Sequence, residues 1–312
     1  MGSGRHRALL SAAACAGLVL AGCSSGNARE VDGGDDRPLV LTTFTVIADI
    51  AQNVAGEHLR VESLIPVGAE VHSYEPTPGD LRTAAEAELV LDNGLDLELW
   101  FEQFVADVEA PRVMVTEGVD PIDIASDAYA GRPNPHAWMS PPNVQIYVDN
   151  IAEAFSDLAP EHAEAFAQNA ESYNEELDLV HTELVNSLAE LPEEQRALVT
   201  CEGAFSYLAR DAGMTEQYLW PVNAESEATP QRIARTIAFV EEHQVPAVFC
   251  ESTVSDAAMQ QVVEATEAEF GGVLYVDSLT GADGPVPTYL DLIRYDVDTI
   301  VGALSGSGAG AA

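Results

Sequence analysis

Two of the seven histidines in this 312-residue chain stand in loops that proline stiffens. His72 lies in GAEVHSYEPTP and His136 in RPNPHAWMSPPN, each beside one aromatic side chain. Proline fixes φ and removes a backbone donor, so such a loop presents its imidazole with little freedom left to lose. A neutral ring nitrogen held this way is a metal ligand in waiting. Taken singly, either residue also reads as a structural loop histidine. As a pair in the first part of the chain they offer two ring nitrogens on rigid backbone. Of the others, His6 falls in the N-terminal leader and His58 in a loop running into a strand. His162, His181 and His243 read as surface residues of acidic helical stretches.

Two carboxylates could complete such a site. Glu202, in VTCEGAFSYLAR, follows one apolar run and precedes a helical pattern; Asp277, in LYVDSLTG, follows another apolar run. In parallel sheets, ligands gather at the carboxyl ends of strands. Each carboxylate alone also reads as a helix cap. Two imidazoles and two carboxylates together would close around a cation.

The elements that must position them alternate. Apolar runs such as LVLTTF, AELVLDNG, ALVTCEG, AVFCES and GGVLYVDSL read as buried strands, and periodic segments such as TPQRIARTIAFVEEHQ read as helices. They come in two batches. The expected fold class is α/β: two βα lobes with mostly parallel sheets, joined by one long rigid linker helix, with the site at the lobe interface. That helix has apolar residues at 166, 173, 177, 180, 184, 188 and 191, a single stripe between Pro160 and Pro192. The expected divisions are a leader at 1–22, a tether at 23–37, lobes at 38–158 and 192–304, the helix at 159–191 and a disordered tail at 305–312.

Arg5 and Arg7 precede the short apolar run ALLSAAACAGLVLAG, a secretory signal too short and alanine-rich to be a good membrane span. Its LAGC ending resembles a bacterial lipobox, in which Cys23 is lipid-modified and becomes the first mature residue. Removing the leader leaves 11 of the 13 basic residues, all arginine, against 52 acids, a formal charge of −41. That balance excludes nucleic-acid binding through a basic patch. With Cys15 in the leader, Cys201 and Cys250 remain. In an oxidising compartment they are expected to form a disulfide, two buried thiols being the alternative.

The lipobox, VHSYEPTP, NPHAWMSP, EGAFSYLARDAG, YVDSL and the linker helix, in this order across the mature body, together resemble the metal-binding lipoproteins of manganese, zinc and iron ABC importers (cluster A-I, solute-binding protein family 9). The resemblance implies that His72, His136, Glu202 and Asp277 ligate one metal between the lobes. It implies delivery to a membrane permease with its ATPase, from a monomer held at the cell membrane by its lipid. Zinc members usually carry a histidine at the position of Glu202 and a histidine-rich loop in the first lobe; this chain has neither. More carboxylate oxygen suits a harder ion, so manganese is the expected cargo, with zinc or ferrous iron as alternatives. Trp138 and Tyr74 would wall the site from water or simply pack. An enzyme is not expected, since four protein ligands leave zinc no open position and no H-E-x-x-H or G-x-S-x-G motif occurs. A surface adhesin, a role ascribed to some relatives, is the alternative of another class.

Overall fold

The structure, a computed structural model, describes residues 35–69, 71–72, 74–101, 108–125, 130–222 and 228–306. The leader, Cys23, nearly all of the tether and tail residues 307–312 lie outside the described residues.

The first half builds a four-stranded parallel sheet from β1 (Leu39–Thr42), β2 (Arg60–Ser63), β3 (Leu89–Asp92) and β4 (Arg112–Met114), in the order β2-β1-β3-β4. β1 and β3 are buried at every position. Val40, Leu89 and Leu91 enter one apolar cluster, Leu41 and Val90 another, so both faces are covered and the strands read as unbroken apolar runs. Helix α1 (Thr45–Ala55) follows β1, and α2 (Pro78–Glu86) precedes β3. Thr77 and Asp80 form a capping box at the start of α2, with Pro78 in its first turn, and this fixes the end of the loop that carries His72.

The second half has two parallel pairs, β5 (Ala197–Glu202) with β6 (Thr215–Trp220) and β7 (Ala247–Glu251) with β8 (Glu269–Leu274). The sequence reading passed over β6 because Thr215, Glu216 and Gln217 interrupt its apolar pattern and only Leu219 and Trp220 are buried. A disulfide joins Cys201 at the end of β5 to Cys250 at the end of β7, with Cα atoms 4.8 Å apart.

Helix α3 (Pro141–Leu158) is followed by α4 (Ala163–Ala189), about 40 Å long at 1.5 Å per residue. Ala159, at φ −135° and ψ 72°, separates the two, and Pro160–His162 form a tight 3-10 turn, so the long helix spans Ala163–Ala189 rather than the expected 159–191. Phe166, Ala170, Tyr173, Leu177, Val180, Leu184 and Leu188 are buried along it. They pack it against α1 and α3 on one side of the chain, and against α5 (Ser206–Ala212) and α8 (Tyr289–Leu304) from the other half. Helices α6 (Pro230–His243) and α7 (Ala257–Ala265) cover the second-half strands. One apolar cluster runs from Val40 and Phe44 through Phe166 and Leu184 to Phe205, Leu274 and Tyr289. Among the described residues no helix is long and apolar enough to cross a membrane.

His162, His181 and His243 are half-buried rather than exposed. His162 stacks on His58 with ring centroids 4.0 Å apart, and His243 packs on Phe239 at 4.2 Å.

Candidate metal centre

His136 stands just before a 3-10 turn, Ala137–Met139, that leads into α3. Pro135 ahead of it and Pro141 at the start of α3 bracket the turn. The loop rests on a buried polar strut: the Pro135 carbonyl accepts from Asn93 Nδ2 at 2.9 Å, and Tyr147 donates its hydroxyl to Asn93 Oδ1 at 2.6 Å. Beneath Asn93, the Glu98 carboxyl accepts from the Asn93 and Gly94 amides and from the Thr43 hydroxyl. His72 approaches from the loop before α2.

The two Nε2 atoms lie 3.3 Å apart. Glu202 Oε1 is 3.7 Å from His72 Nε2 and 3.8 Å from His136 Nε2, while Asp277 Oδ1 is 3.8 Å from His136 Nε2. The donor atoms of His72, His136 and Asp277 all fall within 4.8 Å of one another. Donors about 2.1 Å from one cation and tetrahedrally placed sit about 3.4 Å apart, close to the 3.3, 3.7, 3.8 and 3.8 Å separations among these four side chains, which could therefore hold one metal ion. The helix-cap reading of the carboxylates does not hold. Glu202 precedes the turn Gly203–Phe205 without a side-chain capping bond. Asp277 lies three residues beyond β8 and well before α8, which Thr288 caps.

All four side chains are nearly shut off from water, His72 being the most exposed at 6%. Burial, and secondarily the neighbouring His72, holds the His136 imidazole well below its ordinary pKa, so it is neutral at physiological pH. His136 Nδ1 sits 2.9 Å from Asn134 Oδ1, which also accepts the His136 amide at 3.0 Å. Behind Glu202, the Glu251 carboxyl accepts the Glu202 amide through both oxygens at 3.2 Å. Burial pushes Glu251 up to about 8, with Asp277 adding to the rise, so at neutral pH it adds little charge. The charge of two ligating carboxylates matches that of a divalent cation.

Trp138 is fully buried, its ring 5.0 Å from that of His136. It donates through Nε1 to the Val276 carbonyl at 3.1 Å, next to Asp277, and its own carbonyl accepts from the Tyr289 hydroxyl at 2.7 Å. Tyr74 turns to other partners, donating to Asp80 at 3.0 Å and packing on Trp100. A cavity of about 200 Å³ borders His72, walled by Leu95, Leu97, Ile124, Pro133 and Pro135.

Residues 40–303 match the profile of a family described as zinc-uptake complex component A, periplasmic (ZnuA). The chain belongs to the ZnuA family. Its relatives within and around that family are named for several metals. The iron-binding protein YfeA of Yersinia pestis is 50% identical over 84% of each chain. The manganese ABC transporter substrate-binding lipoprotein PsaA of Streptococcus mitis is 31% identical over 92% of this chain and 95% of its own. The manganese-bound structure of a periplasmic metal-binding protein from Candidatus Liberibacter asiaticus superposes with a TM-score of 0.81, at 38% identity, over 86% of this chain and all of that one. As a ZnuA-family member the chain is a metal-binding, substrate-binding component of an ABC importer and not an enzyme. Its α/β architecture with parallel strands is that of these solved relatives.

The sequence reading did not single out Asn134, Glu98 or Glu251. Asn134 carried a usable signal, since asparagine between prolines is a residue that bonds nearby backbone. Glu251 obeys the rule applied to Glu202: a carboxylate at the end of a buried strand. Glu98 had no such mark, because its hydroxyl partner Thr43 lies 55 residues away.

Proposed function

We propose that this ZnuA-family protein captures manganese(II) outside the cytoplasm, ligates it with His72, His136, Glu202 and Asp277, and releases it to a membrane permease with its ATPase. The observation that carries this reading is the triangle of His72 Nε2, His136 Nε2 and Glu202 Oε1, with edges of 3.3, 3.7 and 3.8 Å. Carboxylate oxygen at Glu202, in place of a third imidazole, favours a hard ion and allows a coordination number above zinc's usual four. The protein acts as a monomer, tethered by a lipid on Cys23. Its lobes are 38–158 and 192–304, linked by the helix within 159–191. Ferrous iron is the second reading, supported by the name of the relative from Yersinia pestis at 50% identity.

Elemental analysis by mass spectrometry tests the cargo, on metal-stripped protein offered manganese, iron(II) and zinc separately and then together. Offered alone, manganese is retained at about one ion per chain, as the single site requires. No retention of manganese, with iron or zinc held at that level, overturns the manganese reading. Zinc displacing manganese in the mixture follows from the ordinary affinity order and does not decide cargo. Disrupting the gene does: growth returns with added manganese for an importer, and no metal restores the phenotype of an adhesin.

A further inference from the structure

We infer that Asn134 is the positioning residue that sets Glu202 in register with His136, and so raises the site's affinity for manganese relative to zinc. The inference rests on the four-ligand reading above.

Asn134 is buried, 3% exposed, and its side chain is fully used. Its Nδ2 donates to the Gly203 carbonyl at 2.6 Å and to Ser206 Oγ at 3.3 Å. Its Oδ1 faces the amide and Nδ1 of His136. The Gly203 carbonyl is an acceptor only and the His136 amide a donor only, so the Asn134 side chain has a single orientation that satisfies both. That orientation in turn requires a proton on His136 Nδ1 and leaves the Nε2 lone pair facing His72 and Glu202. One amide thus selects the imidazole tautomer and holds the residue next to Glu202.

The surroundings make this a fixed register rather than a loose contact. Tyr207, one residue into the helix that follows Glu202, donates its hydroxyl to the Asn134 carbonyl at 2.7 Å and accepts the Ile122 amide at 3.1 Å. Gly203 is pinned from behind: its amide donates to the Pro221 carbonyl at 3.1 Å, and a Cβ there would come within 2.6 Å of the same oxygen. The Pro221 bond thus holds the amide side of Gly203 and the Asn134 bond its carbonyl side, and without the second the segment can pivot about the first. If the bond from Asn134 is lost, the Glu202 oxygen is the donor that shifts, while His72, His136 and Asp277 stay. Those three donors still suit zinc; manganese needs the extra oxygen more.

Asn134→Asp separates the two roles. The new carboxylate still accepts from His136 but cannot donate to Gly203. Its added charge attracts both divalent ions alike and cancels in the ratio of their affinities. Manganese and zinc dissociation constants are measured on the full mature chain by competition with a fluorescent chelator, beside Glu202→Ala. The expected result is a manganese affinity about 10- to 100-fold weaker in Asn134→Asp, the usual cost of losing an outer partner of a metal ligand, with zinc changing much less. Glu202→Ala shows the same skew. Equal losses for both metals, or none, in Asn134→Asp overturn the positioning role while Glu202→Ala keeps its skew. Unchanged affinities in Glu202→Ala overturn the ligand assignment itself, and the inference with it.

Discussion

Glu98 sits under the strut that supports the His136 loop, and its carboxyl makes a measurable forecast. The side chain is 4% exposed, and burial, with Asp92 adding to it, pushes its pKa from 4.5 to about 7 against the opposing pull of three hydrogen bonds. The folded pKa is raised above the unfolded one, so the unfolded chain ionises first as pH rises. Stability from this group is complete below about pH 4.5, declines through the interval and is lost above about 7. At about 1.4 kcal/mol for each pH unit, the loss comes to about 3 kcal/mol. Glu98→Gln has no such titration, although its amide cannot accept from both the Thr43 and Asn93 donors on one side and from Gly94 on the other. The variant is therefore the less stable protein in acid and the more stable one at alkaline pH. Urea unfolding of metal-free wild type and Glu98→Gln at a series of pH values reads the difference directly. A difference that moves by about 3 kcal/mol toward the variant, centred between 4.5 and 7, is expected. A difference flat across that range refutes the buried, raised carboxyl.

Three further outcomes follow from the same structure. Replacing Cys201 and Cys250 together by serine opens a loop of sequence separation 49 and lowers stability by about 4 kcal/mol on the chain-entropy account, measured by urea unfolding under non-reducing conditions. Leu184→Ala, at a fully buried position of α4, costs about 2–5 kcal/mol by the same assay, because it opens a cavity along the helix that packs against both halves of the chain. Manganese affinity falls in acid, since an imidazole must be neutral to ligate; burial carries the His136 share of that fall well below the ordinary imidazole range, and an affinity that stays flat down to the pH at which the chain unfolds contradicts histidine ligation.

How much of this was legible in the sequence depended on where each residue finds its partners. β1, β3, β5 and β7 are short apolar runs buried on every residue, and the parallel arrangement follows from their alternation with helices. β6 was hidden because half its length is polar and partly exposed, so it carries no continuous run. The limits of β8 were blurred for the opposite reason: apolar character continues past Leu274 through Tyr275 and Val276, which line the approach to Asp277 without belonging to the ladder. At the site, His72 and His136 carry a local mark, the surrounding prolines, and Glu202 and Asp277 carry theirs, a place after a strand. What orients them does not. Asn134 acts through Gly203, Trp138 through Val276, and Glu251 through the Glu202 amide. These are bonds between distant segments that only the packing of the two halves creates.

The central claim is that these four side chains share one manganese ion. Crystals of the metal-stripped protein soaked in manganese, with anomalous diffraction recorded on both sides of the manganese absorption edge, test it most directly. The account predicts one strong anomalous peak in contact with Nε2 of His72, Nε2 of His136 and carboxylate oxygens of both Glu202 and Asp277. A peak bound elsewhere on the acidic surface, or a shell that lacks either histidine, would contradict it.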